Sequence, residues 1–200
     1  MAIPKNAKPT NLSIPAAGDP KDFKSIEVKP VLKSSTSLSM EYTVKNSIKT
    51  RKIEFLIANG VNETSLTEMK KSLITDSAVV EMIGTYNGTI QTDKGTAILV
   101  DESLLTSASV FYDAVFVPSG EKSIRNLSKE AYKHCKPIAL AKDAYPLIEI
   151  TAFNFNKLNK EQSDGLNLEQ EDGRFSENFI KAIASHRFWE REIDRKIPLS

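Results

Sequence analysis

The fold of this chain is decided by Lys136-Pro-Ile-Ala-Leu-Ala-Lys-Asp-Ala-Tyr-Pro146. Its apolar part predicts a buried strand, and the residues after Ala141 predict a sharp turn, with a helix starting near Asp143. A sharp turn at the end of a buried strand can expose a nucleophile at its tip. Here the tip position falls on Lys142, followed by Asp143. The sequence therefore predicts the scaffold of a reactive turn without its nucleophile.

A strand–helix–strand unit is predicted before this stretch. Lys52–Ala58 is a short apolar run that ends at a turn signal, and Ala78–Ile83 is a second buried strand. Between them Asn62 can cap a helix, with Ser65 and Glu68 as a capping box. One face of that helix carries four apolar residues: Leu66, Met69, Leu73 and Ile74. Such a unit implies two parallel strands joined by a right-handed crossover.

Further elements follow the same alternation of strands and helices. The pattern predicts a β-hairpin (Gly88–Gln91 with Gly95–Val100), strands at Asp113–Pro118, Pro137–Ala141 and Leu166–Leu168, a helix over Ser123–His134, and a C-terminal helix that runs to Trp189 with Phe175, Phe179, Ile180 and Ile183 on its apolar face. This order predicts an α/β fold with a doubly wound, mostly parallel flavodoxin-like sheet and helices on both faces.

The first 50 residues differ in composition from the rest. They contain five of the nine prolines and eight lysines against four acidic residues. Proline at this spacing breaks helices and removes donors from strand ladders. We therefore predict two parts: an extended, irregular linker arm over residues 1–50, rich in Pro, Lys and Ser, and a compact domain over residues 51–200.

Composition excludes several classes of protein. The net charge of +1 gives no electrostatic basis for binding nucleic acid or an anionic membrane. No apolar run approaches the ~18 residues of a membrane span, and the first residues lack the apolar stretch of a secretory signal. The single cysteine, Cys135, rules out an intrachain disulfide and suits a reducing compartment. A cytoplasmic location is expected, with no nucleic acid or membrane partner.

Few residues offer chemistry of their own. Cys135 lies before its strand rather than at the turn after it, which favours a structural thiol over a reactive one. The only two histidines, His134 and His186, lack the spacing of a metal site and are expected to be structural or exposed. No metal site and no glycine-rich cofactor loop is predicted. A small ligand would use the crevice at the carboxyl ends of the strands, where four residues are predicted to lie: Thr85, Tyr86, Ser119 and Gly120.

Four segments, in order, carry a resemblance to a known family. They are Asp113–Gly120, Glu130–Ala139, Ala184–Arg191 and Lys196–Pro198, and together they resemble the C-terminal domain of large-subunit (clade 2) haem catalases. The resemblance implies a flavodoxin/DJ-1/class I glutamine amidotransferase-like fold without the amidotransferase nucleophile. Lys142 and Asp143 then occupy the degenerate nucleophile elbow. The acidic partner of DJ-1-like cysteines falls on Ser65, with Glu63 two residues away.

The same resemblance implies a role for the chain within a larger enzyme. It suggests a non-catalytic accessory domain of a haem catalase that dismutates hydrogen peroxide, with a part in stability, assembly or chaperone-like protection. The implied partners are the catalase core domain, neighbouring subunits of a homotetramer, and unfolded client proteins. Haem would belong to the core, and none is expected in this chain. The alternatives are a stand-alone DJ-1/PfpI-like hydrolase using Cys135 or Lys142, and a small-ligand binding domain.

Overall fold

The computed structural model describes residues 45–120, 126–144 and 163–194. Nearly all of the predicted arm, and the predicted helix beyond Ala144, lie outside these ranges. The division at residue 50 therefore stays a prediction. No helix within the described ranges is both long enough and apolar enough to cross a membrane.

Six strands of the described chain form one parallel sheet in the order β5-β2-β1-β6-β7-β8. The elements run along the chain as β1 (Lys52–Ile57), α1 (Glu63–Thr75), β2 (Val79–Gly84), β3 (Gly88–Gln91), β4 (Ala97–Val100), β5 (Glu102–Ser103), β6 (Ala114–Val117), α2 (Asn126–Lys133), β7 (Ile138–Leu140), β8 (Leu166–Leu168) and α3 (Phe175–Ser185). Strands β3 and β4 form a separate antiparallel hairpin. The predicted α/β class, the hairpin and the strand at Leu166–Leu168 are confirmed.

Side chains alternate between two packed faces of the sheet, because successive residues of a strand point to opposite sides. One face, with Phe55 of β1 and Phe116 of β6, packs with α1 and α3. The rings of Phe55 and Phe116 meet edge to face at 4.8 Å, and Phe179 of α3 lies 6.4 Å from Phe116. The opposite face, with Leu56 and Val115, packs with Ala131 of α2. Both faces are covered, as in a doubly wound fold.

The start of α1 is fixed by Asn62. Its side-chain oxygen accepts a hydrogen bond of 2.8 Å from the Ser65 N–H, so the predicted cap is confirmed. Leu66 and Met69 are buried as predicted, but Ile74 is 51% exposed. The prediction for Ile74 was wrong because, at 3.6 residues per turn, Ile74 lies roughly 80° round the helix from Leu66. Leu73 lies within about 20° of Leu66 and is fully buried.

The end of α1 is closed by a residue in the left-handed conformation. Ser77 has φ of +63°, its N–H donates to the Ile74 carbonyl at 2.9 Å, and the Ala78 N–H donates to the Leu73 carbonyl at 3.1 Å. This pair of bonds is the Schellman motif, whose left-handed position favours glycine. A serine there carries a steric cost that a glycine would not.

We expect Ser77→Gly to raise the free energy of unfolding by about 0.5–1 kcal/mol, because glycine adopts the left-handed conformation without strain. Urea denaturation measures the change. Ser72→Gly, inside α1, is the matched control and should lower stability by a few tenths to about 1 kcal/mol. A loss of stability in both variants would contradict the assignment of strain to Ser77.

The helix α3 ends four residues earlier than predicted. It stops at Ser185, and His186 turns the backbone with φ of +72°. A short 3₁₀ segment, Trp189–Asp194, follows. The apolar pattern continued past this point because Phe188 lies against other elements, its N–H donating to the Cys135 carbonyl at 2.9 Å. The predicted C-terminal boundary at Trp189 is therefore corrected to Ser185.

Candidate functional site

The predicted elbow is a one-turn 3₁₀ segment, Lys142–Ala144, directly after β7. The Lys142 N–H donates to Glu169 at 2.9 Å, and its ammonium pairs with Glu171 at 3.0 Å. This pair is open to water, since the two side chains are 64% and 90% exposed. Such a pair contributes little to stability. The tip of the turn therefore carries a solvated cation rather than a desolvated amine.

The carboxyl ends of β1 and β6 meet closely. The Asn62 N–H donates to the Ser119 carbonyl at 2.9 Å. A Cβ atom at Gly120 would lie 2.6 Å from the Gly60 carbonyl oxygen, and φ of Gly120 is +86°. Only glycine fits this approach. The close approach draws the loops after β1 and β6 together at the position where flavodoxin-like folds bind ligands.

The four predicted crevice residues follow two different strands that flank β1. Ser119 and Gly120 lie against the loop after β1, whereas Thr85 and Tyr86 follow β2 on the other side of β1. Tyr86 is 74% exposed. A shared ligand role for the four residues stays a prediction.

The N-terminus of α1 is covered by the tip of the β3–β4 hairpin. The Asp93 carboxylate accepts hydrogen bonds from the Glu63 N–H at 3.0 Å and from the Asn62 side-chain amide at 2.7 Å. Beside it, the Thr92 hydroxyl donates to the Glu63 carboxylate at 2.8 Å. A helix N-terminus is a natural anion site, and here a carboxylate of the same chain fills it.

Ser65 and Glu63, the two positions implied for a degenerate acid, take part in the hydrogen bonds at the start of α1. Hydrogen bonds from Thr96 and Thr92, two residues of the hairpin, lower the pKa of the Glu63 carboxyl. The Ser65 N–H bonds Asn62. Lys142 follows β7, which is separated from β1 by β6. The assignment of Ser65, Glu63, Lys142 and Asp143 as remnants of a catalytic site stays a prediction.

We expect Asp93→Ala to lower the free energy of unfolding by about 1–2 kcal/mol, because two donors at the start of α1 lose their acceptor. Denaturant titration followed by circular dichroism measures this. Lys94→Ala is the neighbouring control: it removes only an exposed bond to Thr64, so its effect should stay within about 0.5 kcal/mol. Equal effects of the two substitutions would show that Asp93 is not the cap.

At the amino ends of β1 and β6, the Asp113 carboxylate interacts with several donors. Its carboxylate accepts from the Lys52 N–H at 3.0 Å and lies 3.3 Å from both the Arg51 guanidinium and the His186 imidazole. Arg187 donates to the Asp113 carbonyl. Burial pushes the pKa of Asp113 upward, but the bonds from His186 and Lys52 and the charge of Arg51 prevail, lowering it to about 2. Asp113 thus fastens β1, β6 and the end of α3.

Another carboxyl, that of Glu54, has the opposite environment. It is fully buried in β1, and neither oxygen has a hydrogen-bond partner. Burial raises its pKa to about 8, although the charge of Lys136 opposes this. Lys136 is buried too, and its ammonium donates to the carbonyls of Ser109 and Tyr112. Burial, assisted by the charge of Arg187, lowers the pKa of Lys136 to about 8.

Cys135 closes α2. It has φ of +55°, its N–H donates to the Tyr132 carbonyl, and the Lys136 N–H donates to the Ala131 carbonyl, both at 3.0 Å. The thiol is buried. Cys135 therefore stands at the end of a helix, away from the turn after β7. Of the two histidines, His134 is exposed and His186 is buried.

One cavity has a volume of about 370 Å³ and lies at the amino-terminal side of β1 and β2. Its wall includes Lys52, Glu81, Asp101, Phe111 and Tyr112. The Tyr112 hydroxyl donates to Glu81 at 2.9 Å. Sequence reasoning did not find this cavity, since it placed the candidate crevice at the other end of the sheet.

The chain is similar to a known domain family and to several known proteins. A family model for the C-terminal domain found in long catalases matches residues 49–192. Catalase HPII of Mycobacterium avium is 33% identical over 180 residues, which covers 80% of this chain and 25% of that protein. Catalase HPII of Pseudomonas putida is 32% identical over 193 residues, which covers 91% of this chain and 25% of that protein.

One solved structure supports the fold. The VC2308 protein superposes with a TM-score of 0.54 at 14% identity, covering 64% of this chain and 83% of that one. A ThiJ/PfpI domain protein from Brachyspira murdochii gives a TM-score of 0.48 at 20% identity, covering 52% of this chain and 65% of that one.

The sheet order, the two covered faces and the turn after β7 define a flavodoxin-like α/β domain. The chain belongs to the family of C-terminal domains found in long catalases. It spans about a quarter of the length of the curated relatives it matches. The resemblance carried by the four sequence segments is thereby confirmed.

The described residues do not fit a haem group. A haem needs an axial ligand such as His, Cys or Tyr. His186 lies against Asp113, Cys135 is buried at the end of α2, and the Tyr112 hydroxyl is bonded to Glu81. The cavity beside Tyr112 is walled by charged side chains, including Lys52 and Asp101. At this wall, Lys52 and Tyr112 both bond Glu81.

Proposed function

We propose that this chain acts as a non-catalytic accessory domain of a large haem catalase. In this proposal the parent protein dismutates hydrogen peroxide with haem held in its core, as a cytoplasmic homotetramer. The domain contributes to the stability and assembly of that protein through contacts with the core domain and neighbouring subunits. The match of residues 49–192 to the C-terminal domain of long catalases supports this assignment.

The observation that carries the non-catalytic role is the state of the strand-end turn. Lys142 is exposed and paired with Glu171, whereas an amine used as a nucleophile is activated by desolvation or by a neighbouring cation. The N-terminus of α1, at the carboxyl end of β1, is already bonded to Asp93. Within the described part of the chain, the turn after β7 therefore has no activated amine at Lys142, and the start of α1 has no free anion site.

The hydrolase alternative is opposed by the same geometry. It requires Cys135 or Lys142 at the strand-end crevice, with an acid or base in reach. Cys135 is buried at the end of α2 and Lys142 is solvated. We expect no turnover of ester or glyoxal substrates above that of an equal mass of inert protein. Turnover that Cys135→Ser or Lys142→Ala abolished would establish the alternative instead.

The stabilising role is tested in a catalase that carries the domain. Thermal inactivation of the full-length enzyme is compared with that of a version cut before the residue equivalent to Arg51. We expect the truncated enzyme to lose activity or tetrameric assembly at a lower temperature, with the initial turnover number unchanged. Unchanged heat resistance and assembly after truncation would contradict the proposal.

A chaperone-like contribution is tested separately with this chain alone. Heat-induced aggregation of an unrelated client enzyme is followed by light scattering while the chain is titrated. Suppression near a stoichiometric ratio, beyond that of an inert protein at equal mass, would add unfolded clients to its partners. Absence of suppression would restrict the role to the parent catalase.

A further inference from the structure

The turn that precedes β6 is held from within the protein by one buried ammonium group. Lys136 donates to the carbonyls of Ser109 and Tyr112, at the two ends of the turn, the second at 2.6 Å. Lys136 is 3% exposed, so these charge-assisted bonds form away from water, where they are strong. The segment between the two carbonyls consists of Val110 and Phe111.

The held turn is a surface element. Val110 is 74% exposed and Phe111 is 60% exposed. Phe111 and Tyr112 form part of the wall of the 370 Å³ cavity. A change in the bonds from Lys136 would therefore alter both an exposed apolar surface and the shape of this cavity.

Glu54 is the unpaired group next to this arrangement. Its carboxyl lies on the same face of the sheet as Val115, where β1 pairs with β6, and its two oxygens have no hydrogen-bond partner. A buried carboxyl without partners favours its neutral form, because the charged form loses hydration. Once ionised, it would attract the nearest available cation.

The charge of Lys136 acts on Glu54, and the charge of Glu54 acts on Lys136. The other charged or titratable groups around the pair come from β1, β2, the turn itself and the segment after α3: Lys52, Glu81, Tyr112, Asp113, Arg187 and Arg191. Lys52, Glu81 and Tyr112 already bond one another. Arg187 and Arg191 donate to backbone carbonyls. Lys136 is thus the cation that can respond to Glu54.

We propose that Glu54 and Lys136 form a proton-controlled latch on the turn 109–112. While Glu54 is neutral, the Lys136 ammonium binds the two carbonyls and the turn is closed. When Glu54 loses its proton, its carboxylate competes for the ammonium, and the bonds to Ser109 and Tyr112 weaken. The proton leaves to solvent, and no covalent bond changes.

The range of pH in which the latch works follows from burial. Burial raises the pKa of Glu54 to about 8, and burial lowers the pKa of Lys136 to about 8. The latch is therefore closed near pH 6. Raising the pH to 9 weakens the bonds to the turn in two ways. The Glu54 carboxylate competes for the Lys136 ammonium, and loss of the Lys136 proton replaces charge-assisted bonds by weaker neutral ones.

A spin label on the turn tests this in the folded protein. Val110→Cys is labelled in the full 200-residue chain, and buried Cys135 is left in place. We expect the ratio of mobile to immobile spectral components to rise roughly tenfold between pH 6 and pH 9, the effect of losing one charge-assisted hydrogen bond. The same label at exposed Leu99 on β4, outside the turn, should show no change.

Variants of the pair decide the mechanism. In a Glu54→Gln background the change at position 110 between pH 6 and pH 9 should be clearly smaller, because no carboxylate competes for Lys136 and only the loss of the Lys136 proton remains. Lys136→Met should give the mobile spectrum at every pH, while Lys133→Met, on the surface of α2, should behave as the unsubstituted protein. If Lys136→Met does not fold, the proposal is still tested by comparing the pH-dependent spectra of the unsubstituted protein and of Glu54→Gln. A spectrum that is independent of pH, or that changes equally in Glu54→Gln, overturns the latch.

Discussion

Asp113→Ala is expected to lower the free energy of unfolding by about 2–3 kcal/mol, because the fall in the pKa of Asp113 from 3.8 to about 2 corresponds to roughly 2.4 kcal/mol. Arg51, His186 and the Lys52 N–H all lose their shared acceptor. The Asp113 side chain is 25% exposed, so water can replace part of the bonding that these partners lose. Guanidinium chloride denaturation at neutral pH gives the change directly.

The same residue makes a prediction for acid conditions. Because the pKa of Asp113 falls from 3.8 to about 2 on folding, its contribution is complete above pH 4 and is lost as the pH falls through 2. The difference between the unsubstituted protein and Asp113→Ala should therefore shrink below pH 3. Asp76→Ala, at the exposed end of α1, is the control and should change stability by about 0.5 kcal/mol or less. A loss below about 1 kcal/mol for Asp113→Ala would show that the network does not fasten the strands.

Glu54→Met is expected to raise the free energy of unfolding by about 4 kcal/mol at pH 8 and to have little effect near pH 4.5. Burial raises the pKa of Glu54 to about 8 in the folded protein. Its favourable contribution is complete below pH 4.5 and is lost as the pH rises through 8. Methionine has a similar volume and no charge, so the core remains filled while the pH-dependent loss disappears.

The matched control for Glu54→Met is Glu81→Met. Glu81 is the register partner of Glu54 on β2, but it bonds Tyr112 and Lys52. Its replacement should lower stability by about 1–2 kcal/mol. Urea denaturation at pH 5 and pH 8 gives all four values. If Glu54→Met is no more stable than the unsubstituted protein at pH 8, Glu54 has a partner in solution, and the latch also lacks its trigger.

The parallel sheet could be predicted because its signals are local. Lys52–Ile57 and Ile138–Leu140 are apolar runs of strand length, bounded by turns, and the helix between β1 and β2 carries both a cap and a periodic face. Each of these properties depends on residues within one or two helical turns. Sequence alone therefore gives the order of elements well.

The structure differs from the prediction where an element ends against distant parts of the chain. Ile74 lies beside the apolar face of α1 and is exposed, whereas Leu73 in the same turn is buried. Helix α3 stops at Ser185 because His186 turns towards Asp113, a residue 73 positions earlier. Periodicity contains no information on contacts at such separation.

The groups that matter most at the candidate site were missed for the same reason. Asp93 caps a helix that begins 30 residues before it, and Lys136 bonds carbonyls 24 and 27 residues away. One signal was present: Glu54 is a single charge within the apolar run Ile53–Ile57. A charge in such a run marks either a strand open to water or a buried titratable group. The strand is buried on both faces.

The hairpin tip on α1 also limits how tightly any ligand can bind at the carboxyl end of β1. A ligand for that helix N-terminus must displace Asp93, so its apparent dissociation constant is the intrinsic constant divided by the fraction of molecules with the hairpin lifted. If roughly one molecule in a thousand is lifted, a micromolar intrinsic affinity becomes a millimolar one. The population of an internal competitor, and not the shape of the crevice, then sets the affinity of this site.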